Sequence, residues 1–266
     1  MVECTFETKC WENDYKLMLN TDHIEKMIRN CNYNFKRKQV IINNVKDETI
    51  VCNLAQTLKD RGVIDEYYVS SQYADEAIRK FDVADKFRGG GYNYSISEIV
   101  GILKCETKYL LHFSSDSYIA KEFAESTWIA EAIDIMEHNE SIIVANPTWN
   151  DCIHRSRNPF GRQRYNWSEA ESESFKRIGN FYLGQGFSDQ CYLINTNVFK
   201  NKIYNFTHPD SERYPKYGGE LFEKKCDAFM RTNNKYRITS TTTGYVSNNI
   251  KKSQYLVEKL GLKRDL

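Results

Sequence analysis

From residue 4 to residue 145 the sequence repeats one pattern. A short run of β-branched or apolar residues ends in a polar turn, and a stretch with helical spacing follows. The runs fall at 4–9, 38–42, 66–70, 108–113 and 141–145, the last stopping at Asn146-Pro147. These runs read as strands: 4–9 alternates polar with apolar or β-branched residues, and 38–42 has the profile of a buried parallel strand. Between them, Leu17, Met18, Ile24, Met27 and Ile28 recur at helical spacing over about 14–31, with Asp14 placed to cap the start and a break available at Leu19-Asn20-Thr21-Asp22. Further helices are predicted at about 47–59, 74–81, 97–105 and 122–139. Strands alternating with helices require right-handed crossovers, hence an α/β fold with a mainly parallel central sheet flanked by helices.

Past residue 150 the pattern changes. A polar, Arg-rich stretch occupies 154–177, a strand is expected at 190–194 and a helix at 220–231. No Pro/Ser/Gly linker and no internal repeat separates the halves, so 1–266 reads as one domain, with 3–150 and 151–266 as its two sides. The tail 251–266, with Leu256, Val257, Leu260 and Leu262, has the pattern of a basic amphipathic helix, expected to pack on the domain rather than on a membrane surface.

Lys and Arg number 37 against 36 Asp and Glu, so the overall field favours neither nucleic acid nor membrane, and an anionic ligand has to be held locally. No run has the length or apolarity of a transmembrane segment, and the start lacks the basic-then-apolar order of a signal peptide, which points to a cytoplasmic protein. The 8 cysteines are scattered without a C-x-x-C pair and read as buried free thiols. The N-x-S/T sequons at Asn93, Asn139, Asn166 and Asn205 carry no weight without a secretory route. The 18 Tyr suit stacking on a sugar ring or base, and equally suit half-buried packing.

In an open parallel sheet ligands bind beyond the carboxyl ends of the strands. Four polar segments lie there: Lys9, Glu12 and Asp14; Asn43, Asn44 and Asp47; Gly89-Gly90-Gly91 before Asn93; and Ser114-Ser115-Asp116. Their order resembles the nucleotide-binding half of GT-A glycosyltransferases, particularly the broad family-2 type, over about residues 3–150. Leu110-Leu111-His112-Phe113-Ser114-Ser115-Asp116-Ser117 is similar to the apolar strand that ends in Asp-x-Asp there, and Val40-Ile41-Ile42-Asn43-Asn44-Val45-Lys46-Asp47 to the Asp-rich turn of the second strand. The resemblance implies a GT-A-like fold, a nucleotide-sugar donor and a carbohydrate, lipid-linked or other hydroxyl acceptor. It places Lys9, Glu12, Asn43, Asn44, Asp47, Gly91, Asn93, Ser114, Ser115 and Asp116 at the nucleotide. It also implies a divalent cation, Mn2+ or Mg2+, bridging the diphosphate to Asp116. Ser114 stands where the motif's first acid would be, and 235–249 lacks the late His that often completes the metal site.

Other roles have plain alternatives. Asp116 could simply cap a turn. The glycines permit close backbone approach or merely a flexible turn, and no G-K-[ST] P-loop follows them. Inverting transfer needs a carboxylate base opposite the leaving phosphate. Glu220, after Gly218-Gly219 and at a helix start, is the first candidate, Asp189 is assigned to acceptor binding, and Glu223 is the fallback. The ordinary reading of Glu220 is a helix N-terminal charge. His154, Arg155, Arg157, Arg162 and Arg164, interleaved with Trp149, Phe160, Tyr165 and Trp167, could hold a diphosphate or charged acceptor, or form a solvated loop. A sugar nucleotidyltransferase is the enzymatic rival, disfavoured because Cys10-Trp11-Glu12-Asn13 is not its Gly-rich, Lys-bearing loop. A non-catalytic sugar-nucleotide or glycan-binding module is the other.

Overall fold

A computed structural model describes residues 2–84, 92–149, 176–213 and 221–247. Gly89, Gly90, Gly91, Glu220, residues 154–175 of the Arg-rich stretch and the 251–266 tail lie outside these segments.

The expected strands form: β1 (Cys4–Cys10), β2 (Arg37–Ile42), β3 (Glu66–Val69), β4 (Tyr109–Phe113) and β6 (Ile142–Trp149), with a short β5 (Ser117–Ile119) between the last two. β7 (Arg177–Ile178), β8 (Phe181–Gly184), β9 (Cys191–Asn195) and β10 (Tyr236–Ser247) follow. They join one sheet in the order β3-β2-β1-β4-β9-β6-β10-β8-β7, with β5 on β10. β3, β2, β1 and β4 are all parallel. β9 then enters antiparallel between β4 and β6, so a strand from the second half of the chain sits at the centre of the sheet.

Helices α1 (Tyr15–Leu19), α2 (His23–Asn30), α3 (Glu48–Asp60) and α6 (Trp128–His138) pack one face, with Phe6, Met18, Met27, Val40, Leu111 and Trp128 in their core. On the other face lie α4 (Ser70–Lys80), α5 (Ile96–Lys104) and the Phe222–Thr232 helix, around Phe81, Ile99, Leu110, Tyr192 and Phe222. Burying each such side chain contributes roughly 1.5–3 kcal/mol. The 7 described cysteines are free, and all but Cys52 are buried.

Several boundaries differ from the sequence reading, each for a local reason. The first helix does break near Asn20, because Thr21 Oγ1 bonds back to the Leu17 carbonyl and accepts the His23 N–H, diverting the backbone. α4 begins at Ser70, directly after β3 and ahead of the expected Ala74. The helix expected from Glu122 starts only at Trp128, since Lys121–Phe123 is a 3-10 turn and Asn32 Nδ2 ties down the Glu125 and Ser126 carbonyls. β6 does not stop at Asn146. It runs through Pro147, whose missing N–H is tolerated because β10 bulges opposite it, between Thr239 and Gly244.

Candidate active site

The register of the central strands brings the chemistry together. β1 and β4 run parallel with Thr8 opposite Phe113, so Lys9 and Ser114-Ser115-Asp116 leave the sheet side by side. Antiparallel β9 places Cys191 opposite Phe113, which sets Asp189 and Gln190 against the same turn. Ser114 N–H donates to the Gln190 carbonyl at 2.9 Å, and Ser114 Oγ to the Asp189 carbonyl at 3.1 Å. Asp189 N–H in turn donates to Glu223 Oε1 at 3.2 Å, on the first turn of the Phe222–Thr232 helix. Asp14 does not cap α1 with its side chain. It accepts Trp11 N–H at 2.7 Å and Ser115 Oγ–H at 2.5 Å, locking the β1 loop to the β4 turn.

Lys9 is ion-paired with Glu98 of α5, a carboxylate the sequence reading did not single out. The Lys9 side chain is 17% exposed and that of Glu98 fully buried. Burial opposes the ammonium, yet the fields of Glu98, Asp189 and Asp116 outweigh it and hold Lys9 above the ordinary lysine range. The carboxyls shift the other way. Burial raises Asp116, with Lys9 opposing and Asp189 reinforcing. Burial pushes Asp14 up to about 6 against its hydrogen bond from Ser115. Burial and then the adjacent Asp189 push Glu223 well above the ordinary carboxylate range.

Beneath this cluster lies a buried polar layer. Glu7 is within 2.8 Å of His112 Nδ1 and accepts Gln39 Nε2–H at 2.6 Å. Burial drives Glu7 up to about 8 against the Gln39 bond, and burial with the Lys9 charge drives His112 well down. Both are therefore neutral near pH 7, and one hydrogen bond links Glu7 Oε1 to His112 Nδ1. Raising a carboxyl's folded pKa above its unfolded 4.5 gives a contribution fully present below pH 4.5 and lost as pH climbs to about 8. Glu7→Gln, which keeps one acceptor and one donor, is expected to remove this slope of at most about 1.4 kcal/mol per pH unit. Urea unfolding across pH 5–8 tests it, and an unchanged slope would place the titration elsewhere.

Beside the cluster, a cavity of about 300 Å³ opens between the ends of β2 and β3, lined by Asn44, Val69, Ser71, Asp75, Tyr92 and Asn93 among others. Asn43 N–H donates to the Cys10 carbonyl, so the cavity starts one residue from Lys9. The Asn43 side chain builds the wall, donating to the Asn93 carbonyl at 2.6 Å and accepting Ser70 Oγ–H at 2.9 Å. Asn44 takes the left-handed φ of 50° that the turn needs. Asp47 caps α3 through Ile50 N–H, and Glu12 accepts Lys46 N–H at 2.8 Å, bridging the first two loops. Of the sequence-predicted residues, Lys9, Ser114, Ser115, Asp116 and Asp189 are brought together, Asn43, Asn44 and Asn93 border the adjoining cavity, and Gly91 and Glu220 lie outside the described residues.

The Mn2+ or Mg2+ expected at Asp116 would need further ligands beside that carboxylate. Among the described residues no three His, Cys, Asp or Glu side chains are grouped to hold a metal. Ser114 spends its hydroxyl on the Asp189 carbonyl, and Asp116 already lies in the field of the Lys9 ammonium. The described residues around Asp116 thus supply no set of three side-chain ligands for a divalent cation.

No protein-family model matches the sequence, and neither does any curated protein. Among solved structures, GalNAc-T7 with UDP, GalNAc and Mn2+ superposes with a TM-score of 0.56 at 9% identity, covering 93% of this chain and 44% of that one. S. aureus TarS 1–349 in complex with UDP-GlcNAc gives 0.47 at 12% identity, covering 95% of this chain and 61% of that one. The chain thus spans less than half of the GalNAc-T7 chain. The likeness to GalNAc-T7 shows a GT-A fold, a mixed α/β architecture with a mostly parallel central sheet flanked by helices. No helix among the described residues is long and apolar enough to cross a membrane.

Proposed function

We propose that this chain is a glycosyltransferase that moves a sugar from a nucleotide-sugar donor to a hydroxyl of a glycan, lipid-linked or other acceptor. The observation that carries the reading is the convergence of Lys9, Asp116 and Asp189 at the carboxyl ends of β1 and β4 and the start of β9, next to a cavity of about 300 Å³. In this reading residues 3–150 supply the donor side and 151–266 the acceptor side of a single domain. The nucleoside enters the cavity bordered by Asn43, Asn44 and Asn93, where Tyr92 and Val69 offer apolar surface. Its diphosphate extends toward Lys9 and Asp116, and Gly91 belongs to the same segment as Asn93.

The acceptor hydroxyl approaches from the side of Asp189. Losing its proton as the bond to the anomeric carbon forms requires an ionised carboxylate. Burial and the neighbouring Asp189 disfavour the ionised form of Glu223, so Glu220 is taken as the base and Asp189 as the group that holds the acceptor. A cytoplasmic place and a part in polysaccharide synthesis belong to the same reading and rest on sequence alone.

A thermal-shift screen against UDP-, GDP-, dTDP- and CMP-sugars tests it. A ligand at 100 times its Kd stabilises by about 2.7 kcal/mol, enough for a clear shift in melting temperature. One strong hit supports the reading and names the donor class. No shift with any of them refutes donor binding.

A further inference from the structure

From the placement of Lys9 by Glu98 at the end of β1, we infer that its ammonium binds the donor diphosphate in the position where a divalent cation would otherwise serve. This rests on the nucleotide-sugar reading above.

The geometry is specific. Lys9 and Glu7 both face α5, where Glu98 and Gly101 stand one turn apart. Glu98 is fixed from behind by Ser97 Oγ–H at 2.8 Å, and the side chain of its partner Lys9 is 17% exposed. A lysine paired with a fully buried carboxylate is a poor stability device, since desolvating both charges offsets most of their attraction. What the pair does achieve is a cation locked in one place at a strand end, one residue from the nucleoside-sized cavity and in the field of Asp116 and Asp189.

The described part of the same turn offers a metal few ligands. Ser114 is engaged with the Asp189 carbonyl, and the described carboxylates form no group of three ligands. Lys9 is the cation whose field Asp14, Glu98 and Asp116 all feel. A hydrogen bond from its ammonium to a phosphate is charge-assisted.

Isothermal titration with UDP, GDP, dTDP and CDP, each beside its monophosphate, in EDTA and in Mn2+, tests the inference on the intact chain. One diphosphate is expected to bind in EDTA within about threefold of its Mn2+ affinity, and about tenfold or more above its monophosphate, the scale of one charge-assisted hydrogen bond. Lys9→Arg should keep that preference. Lys9→Met should erase it. Because Lys9→Met strands a buried carboxylate, the double variant Lys9→Met/Glu98→Gln is measured as well and is expected to lose the preference with its melting temperature retained. Diphosphate binding that appears only with Mn2+ overturns the inference and leaves the donor reading standing, as does a preserved preference in the double variant. Absence of binding by every nucleotide in both buffers overturns both.

Discussion

Gly101→Ala is expected to lower the melting temperature by about 6–12 °C, equivalent to roughly 3 kcal/mol in a domain of this size. A Cβ at this position would fall 2.2 Å from Glu7 Oε2 and 2.4 Å from Oε1. A flexible carboxyl could ordinarily swing aside, but this one is held by His112 and Gln39, and Gln39 Nε2 also bonds the Gly101 carbonyl at 3.2 Å. Making room breaks buried hydrogen bonds at about 1–3 kcal/mol each or forces α5 off the sheet. The gain in helix propensity returns only about 1 kcal/mol. Moving α5 also displaces Glu98, and with it Lys9, so nucleotide affinity should fall together with stability. Calorimetry on the variant and on Gly101→Ala/Glu7→Ala, where the space is restored, separates the clash from a general effect. A melting temperature unchanged in the single variant would mean that Glu7 moves freely and is not pinned.

That contact also marks where sequence reading ran out. The parallel half was legible because β-branched runs such as Val40-Ile41-Ile42 have few other places to be than a covered strand. Polar residues inside the same strands were not legible. Glu7 sits in β1 between Phe6 and Thr8 and reads as one step of an ordinary alternation, yet helices cover both faces and it is fully buried. Glu98 was missed for a related reason, since Ile96–Lys104 reads as an apolar helix packed on the sheet. The available signal was a lone carboxylate three residues before a glycine on one helical face, a pairing that apolar packing does not explain. Lys9, Asp116 and Asp189 were each visible as strand-end residues. Their convergence was not, because it depends on β9 inserting antiparallel beside β4, a long-range pairing that no local pattern encodes. Pro147 shows the same limit in reverse: a residue that normally ends a strand is carried through by a bulge in β10, nearly a hundred residues later.

The acceptor-side carboxylates should separate by kinetics once the donor is known. Glu220→Gln is expected to lower the transfer rate by about 10² or more while leaving nucleotide affinity nearly unchanged, the usual loss on removing a general base. Asp189→Asn should act mainly on the acceptor, raising its KM about tenfold with a smaller change in kcat, because a hydrogen bond made in ground and transition states alike is lost from both. Glu223→Gln should cost no more than about threefold, since burial beside Asp189 disfavours the charged form of Glu223 and glutamine preserves an acceptor for Asp189 N–H. The order of the three decides the assignment. A loss below tenfold in Glu220→Gln, with the large loss appearing in Asp189→Asn, moves the base to Asp189, whose backbone already ties it to the Ser114 turn. A large loss in Glu223→Gln alone would mean that this carboxyl works ionised, and that burial beside Asp189 does not hold its proton during turnover.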